Sequence, residues 1–222
     1  MLTPKIVADA PRYLNGIKQR EILLRGHQAV KIEHLGIVQN LVQSIDLSDN
    51  LIEHLGNFPR LTRAVSLLVT NNRIRTIDPQ LGTKLPLLQS LSLSHNRIDS
   101  LAELRALVLL AKLEYFALDN NPISQHPYYR LYILWLAPQI RVLDFERVRD
   151  SERDQAKKLF GTLADPTELV ASVEGKESTK MEAPKVATKL SEEEKQELRN
   201  KLASATTLAE IDEIEALLRA AT

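Results

Sequence analysis

Apolar residues along this chain recur neither at the three- and four-residue spacing of a helix stripe nor in the brief alternation of a lone strand. In LLQSLSLSHNRIDSL, residues 87–101, they fall at Leu88, Leu91, Leu93, Ile98 and Leu101, with a polar amide at Asn96. The same arrangement returns in VQSIDLSDNLIEHL from Val42, AVSLLVTNNRIRTI from Ala64 and LEYFALDNNPI from Leu113. Asn50, Asn72, Asn96 and Asn121 mark it at intervals of 22, 24 and 25 residues.

Intervals inside the ~20 to 29 residue range, with the order L-x-x-L-x-L-x-x-N-x-L, spell a leucine-rich repeat. The pattern predicts an α/β solenoid with short parallel strands on a concave face and a helical or irregular convex side. In each L-x-L step both apolar side chains point into the core and the residues between them face outward. The asparagine sits where the chain turns and offers its amide to backbone groups. No coil can bury its apolar side alone, so stacked coils share one core.

Terminal coils need caps. Thr3 and Pro4 predict a short N-terminal helix, which Pro11 breaks or restarts. REILLRG, residues 20–26, opens a degenerate first repeat with Ile22 and Leu24 in the strand, and with His27 and Ala29 where a stricter repeat has Asn and Leu. At the other end HPYYRLYILWLAPQIRVLDFERV, residues 126–148, predicts an aromatic-rich helix ended by Pro138 and a last strand from Val142 to Phe145. The expected organisation is a capped repeat domain over 1–160, a flexible linker over 161–190 and an amphipathic helical tail over 191–222.

Charge refines this picture. The whole chain holds 29 basic and 29 acidic residues, but residues 1–160 hold 21 and 16, leaving a mildly basic body and an acidic tail. With no cysteine, disulfide scaffolds and thiolate metal sites are excluded. No run reaches the roughly 18 apolar residues of a membrane span, and the first residues lack the unbroken apolar stretch of a signal peptide. A soluble intracellular protein without membrane contact is expected.

Catalytic chemistry has thin support. The five histidines, at positions 27, 34, 54, 95 and 126, form no H-x-x-x-H pair and read as surface or turn residues. Ser94, His95 and Asp119 offer nucleophile, base and orienter types without a strained nucleophile turn or oxyanion donors. No glycine-rich phosphate loop is present, so no metal, cofactor or catalytic residue is expected.

The outward positions of the strands are more informative: Glu21, Leu23 and Arg25; Ser44, Asp46 and Ser48; Ser66, Leu68 and Thr70; Ser90, Ser92 and Ser94; Tyr115, Ala117 and Asp119. Leu68, Ala117 and Tyr115 are apolar where water is expected, among small serines, which predicts a groove for a partner's helix or loop. The candidate partner-binding set is Glu21, Leu23, Arg25, Asp46, Ser48, Leu68, Thr70, Ser92, Ser94, Tyr115, Ala117 and Asp119.

Taken together, Thr3 and Pro4, REILLRG, DLSDNLIEHLGNFPRL at 46–61, LLVTNNRI at 67–74, the 126–148 segment, and Glu152, Arg153, Ala156 and Phe160 after it resemble the A-prime proteins of the U2 small nuclear ribonucleoprotein. The resemblance covers about residues 1–160 and includes the YYRLY and VLDF cap that generic repeats lack. It implies a non-catalytic nuclear scaffold for pre-mRNA splicing. Its concave face would grip a helix of an RNA-recognition-motif protein of the B-double-prime type, and the pair would bind a U2 RNA stem-loop. U2 RNA would be held mainly through that partner, with Lys18, Arg20, Arg25, Arg147 and Arg149 as candidate phosphate contacts, and the tail would meet other spliceosomal proteins. A leucine-rich-repeat adaptor regulating a phosphatase or other enzyme is the alternative.

Overall fold

The computed structural model describes residues 2–38 and 40–175. In chain order its strands are β1 Arg12–Leu14, β2 Arg20–Leu23, β3 Ser44–Asp46, β4 His54–Leu55, β5 Ser66–Leu68, β6 Thr76–Ile77, β7 Ser90–Ser92, β8 Tyr115–Ala117, β9 Val142–Leu143 and β10 Glu146–Arg147. The helices are α1 Pro4–Asp9, α2 Leu81–Lys84, α3 Tyr129–Leu136, α4 Asp150–Phe160 and α5 Glu168–Gly175. One sheet runs β1-β2-β3-β5-β7-β8-β9-β10, and β4 pairs with β6 in a second, smaller one. Pairing is parallel from β2 to β9 and antiparallel at both ends.

This is the predicted α/β solenoid. The first apolar residues of the L-x-L steps, Ile45, Leu67, Leu91 and Phe116, stand side by side in register and are buried. The floor residues Ile52, Ile74 and Ile98 close each coil at 0% exposure. The convex side is short helix and turn, including a 3-10 segment at Leu101–Leu109.

The asparagines do more than turn the chain. The Asn96 amide nitrogen donates to the carbonyls of Leu93, Ser94 and, one coil back, Val69, while its oxygen accepts from the Ile74 N–H. Asn50, Asn72 and Asn121 repeat this set. Each side chain therefore ties its coil to the preceding one. The residue before each, Asp49, Asn71, His95 and Asn120, has φ between 54° and 62°, a left-handed conformation that Asn, Asp and His tolerate better than most residues. Gly26 fills the same place in the first coil at φ 75°.

The first coil carries His27 at the asparagine position, and the ladder shows why this is tolerated. There is no earlier coil for it to hold. Capping is done instead by a hairpin that the sequence pattern did not predict: β1 lies antiparallel on β2, with Tyr13 opposite Glu21. The Glu21 carboxylate is buried at 7% exposure and accepts from the Tyr13 hydroxyl at 2.6 Å, Asn15 Nδ2 at 2.9 Å and the Ser44 hydroxyl at 2.9 Å. Burial opposes its charge, but the three hydrogen bonds outweigh that and hold its pKa below the ordinary value. Before the hairpin, the Thr3 side chain caps α1 by accepting from the Ile6 N–H at 3.2 Å.

At the C-terminal cap α3 brings Tyr132 and Trp135 against Phe160 of α4, with ring centroids 5.7 Å apart in both pairs. The Trp135 indole N–H donates to the Gly161 carbonyl at 3.1 Å. Two expectations need correction here. The last strand does not reach Phe145: it ends at Leu143. Asp144 and Phe145 take φ of 49° and 66° and turn the chain into β10. Asp144 accepts the Leu118 N–H at 2.7 Å, replacing the strand carbonyl that the earlier coils supply. The linker expected over 161–190 is likewise helical in part, since α5 buries Val170 and Val173. Glu174 pairs with Arg105 at 2.8 Å and accepts from the Tyr132 hydroxyl, so polar anchoring settles a helix too short to display periodicity. The expected tail over 191–222 lies outside the described residues.

Two outcomes follow from the ladder and the first cap. Asn96→Asp keeps the acceptor but sets a carboxylate against three carbonyl oxygens, so urea denaturation should show a loss of roughly 3 kcal/mol or more. A loss under about 1 kcal/mol would mean that the amides are not what joins the coils. The lowered Glu21 pKa stabilises the hairpin above the unfolded value of about 4.3, and that contribution disappears as pH falls through the folded value. Hydrogen exchange at Asn15 and Leu23, whose N–H groups donate to Gln19 and Pro11, should accelerate below about pH 4 in the native chain. Glu21→Gln should remove that pH dependence.

Candidate partner-binding face

Strand register sorts the outward side chains into rows. One row runs Glu21, Ser44, Ser66, Ser90, Tyr115 and Val142; the next runs Leu23, Asp46, Leu68, Ser92 and Ala117. The backbone continues each strand into Arg25, Ser48, Thr70, Ser94 and Asp119, joined coil to coil by bonds such as Leu47 N–H to Leu68 O and Leu93 N–H to Ala117 O. The structure thus brings all twelve sequence-predicted positions onto one surface.

They are not equally available. Tyr115 is 49% exposed and Arg25 is exposed, whereas Leu23, Leu68, Thr70, Ser92, Ala117 and Asp119 are half-buried. Glu21, Asp46, Ser48 and Ser94 are buried and already engaged. The Asp46 carboxylate accepts the Ser48 N–H at 2.9 Å, and Ser94 donates its hydroxyl to Asp119. The accessible part of the face is therefore Tyr115 standing over a shallow floor in which Leu23, Leu68 and Ala117 alternate with Asp46 and Ser92. Val142, which extends the Tyr115 row, was missed because the last repeat lacks its asparagine.

The triad types Ser94, His95 and Asp119 do not assemble as nucleophile, base and orienter. Ser94 donates to Asp119, while His95 occupies the left-handed turn with its Nε2 3.3 Å from Asn120 Nδ2. Among the described residues there is no group of three metal-ligating side chains and no helix long and apolar enough to cross a membrane.

Electrostatics along the rim beyond the strands are paired. Arg25 meets Asp49 at 2.5 Å, and Asn71 donates to the other Asp49 oxygen at 2.8 Å. These hydrogen bonds, with Asn71 the larger influence, hold the Asp49 carboxyl below its ordinary pKa. Of the candidate phosphate contacts, Lys18 lies in the loop of the N-terminal hairpin and Arg20 opens its second strand, Arg25 is the paired residue above, and Arg147 and Arg149 line the C-terminal cap. The face is of modest polarity, with Arg25 and Asp49 paired at its rim.

A leucine-rich-repeat family model matches residues 1–171. The U2 small nuclear ribonucleoprotein A' of Schizosaccharomyces pombe is 35% identical over 230 residues, spanning 98% of this chain and 96% of that protein. Its Homo sapiens counterpart is 35% identical over 223 residues, spanning 98% and 87%. A chain in the crystal structure of a Drosophila melanogaster SNF/U2A' complex superposes with a TM-score of 0.70 at 39% identity, covering 73% of this chain and 94% of that one. Solenoid, caps and near full-length identity agree, and the chain belongs to the U2 small nuclear ribonucleoprotein A' family of spliceosomal leucine-rich-repeat proteins.

Proposed function

We propose that this chain is a non-catalytic, nuclear scaffold of the U2 particle. Its concave face binds a helix of an RNA-recognition-motif protein of the B-double-prime type, and the pair holds a U2 RNA stem-loop during pre-mRNA splicing. The observation that carries this reading is the register row in which Leu23, Leu68 and Ala117 alternate with Asp46 and Ser92 beside the exposed ring of Tyr115. Apolar area set among small side chains accepts a helix without steric conflict. The Drosophila relative, seen in a complex with SNF, supports a protein partner for this chain too.

Labour divides by chemistry. Base stacking and base-edge reading need aromatic platforms, and the partner's recognition motif supplies them. The solenoid orients that partner and adds charge to phosphates. The proposed role is binding rather than turnover.

Leu68→Arg and Tyr115→Asp each introduce a charge at a partly or well exposed position, which the fold tolerates. Either should weaken partner binding by about 2 kcal/mol or more, roughly thirtyfold, in calorimetric titration, with the thermal midpoint unchanged. Unaltered affinity in both variants would remove the concave face from the interface. Recovery of a phosphatase without any small nuclear RNA, from nuclear extract treated with and without ribonuclease, would favour an enzyme-regulating adaptor.

A further inference from the structure

The β9–β10 hairpin joins its strands through Asp144 and Phe145 alone, since Leu143 stands opposite Glu146. Both loop residues have positive φ, 49° and 66°, the mark of the type I′ turn that suits the twist of paired strands. Such a turn favours Asn or Asp first and glycine second, because a side chain crowds the backbone when φ is positive. Asp144 follows that preference and Phe145 does not. Among the described residues ten non-glycine positions have positive φ, and Phe145 is the one whose side chain is apolar. For so bulky a residue the conformation is strained.

The turn is imposed from outside the ring. The Asp144 carboxylate accepts the Leu118 N–H through one oxygen and the Tyr129 hydroxyl through the other, each at 2.7 Å. The Asp144 N–H donates to the Phe116 carbonyl at 3.0 Å. Arg130 reaches the Leu143 carbonyl at 3.3 Å, and the Val148 N–H donates to the Arg141 carbonyl at 2.9 Å across the hairpin. None of these bonds uses the Phe145 side chain. At 79% exposure that ring is the most exposed large apolar side chain among the described residues. It also stands outside the cluster of Tyr128, Tyr132, Trp135 and Phe160 that seals the cap. Backbone strain held for a side chain that packs against so little points to contact with another molecule.

Position and charge say which kind of molecule. β9 follows β8 in the sheet that carries the concave face, with Val142 and Leu143 opposite Tyr115 and Phe116. Asp144 lies beside Leu118, so the turn continues that sheet past Ala117 and sets the ring at the C-terminal margin of the outward rows. The residue after it is acidic: the Glu146 side chain is 78% exposed and meets Arg130 only at 3.7 Å. A phosphate backbone is repelled by such a neighbour. A protein pocket with an apolar floor and a basic rim complements ring and carboxylate together.

We infer that Phe145 is an anchor for the protein bound on the concave face: its ring fills an apolar pocket of that partner, and Glu146 meets a basic side chain at the pocket's rim. Aromatic anchors carry a large share of the energy of an interface. A ring fixed on a two-residue turn, with the turn itself tied down by Asp144, loses little freedom on binding. The partner's identity rests on the proposed function.

The test uses the full chain and the RNA-recognition-motif partner without RNA, with affinity read by calorimetric titration and the fold by thermal unfolding of the free chain. Phe145→Gly should weaken partner binding at least about tenfold. Its thermal midpoint should hold or rise by about 2 °C, because glycine relieves the turn. Phe145→Asn, which tolerates the left-handed backbone without glycine's freedom, should lose as much affinity. Glu146→Gln should lose roughly two- to threefold, and the loss should shrink as KCl is raised.

Unchanged affinity in both Phe145 variants, while Tyr115→Asp still weakens binding, overturns the inference and leaves the proposed function standing. A thermal midpoint lowered by more than about 5 °C in both variants returns the ring to the fold and overturns it as well. Unchanged affinity for the partner, with a weaker hold of the complex on a U2 stem-loop transcript, would give the ring to RNA instead. A native chain that fails to bind the partner sinks the proposed function, and the inference with it.

Discussion

Four buried carboxamides join the coils, and most of the architecture follows from the geometry they impose. A coil's turn leaves carbonyls that no strand reaches, and an unmet buried carbonyl costs on the order of 1–3 kcal/mol. The Leu47, Val69 and Leu93 carbonyls each accept from two asparagines, one in their own coil and one in the next. Both lone pairs are thereby used, and only a side chain with two N–H donors and an acceptor oxygen can do this at every step. The left-handed residue before each asparagine then presents the amide at the right height.

The fold was legible because this requirement is written into residue identity. Asn50, Asn72, Asn96 and Asn121, with the L-x-L steps ahead of them, identify coil length, strand position and concave face together. Both ends were harder to read for the reason the middle was easy: a cap answers to no repeat. The β1 hairpin is held by three donors converging on Glu21, a contact between residues whose significance no spacing announces. A glycine within the five residues 15–19 between the two strands was the available signal, since short glycine-containing loops join hairpins. At the other end VLDF reads as strand by propensity, but Tyr129 donates to Asp144 at 2.7 Å while Asp144 also accepts the Leu118 N–H. Tertiary bonding overrides the β preference of Phe145, which is left 79% exposed.

The candidate site shows the same division. Which residues face outward follows from period two, and register confirms the rows. How much of each side chain remains available does not follow. Asp46 and Ser94 look like free polar groups in a linear pattern, yet one holds the Ser48 backbone and the other is committed to Asp119. Burial by neighbouring coils, invisible in sequence, reduces a twelve-residue list to an exposed ring at Tyr115 and three half-buried apolar positions that alternate with Asp46 and Ser92.

Because each amide reaches only the coil before it, nothing in the ladder limits how many coils can be stacked. The two caps set the count. Glu21 with its hairpin at one end, and Asp144 with the Tyr132, Trp135 and Phe160 cluster at the other, bound a parallel floor of six strands. At ~4.8 Å per strand and ~1.5 Å per helical residue, that floor matches about sixteen residues of α-helix laid along it. The caps therefore act as a ruler: they fix the span of the concave floor from end to end.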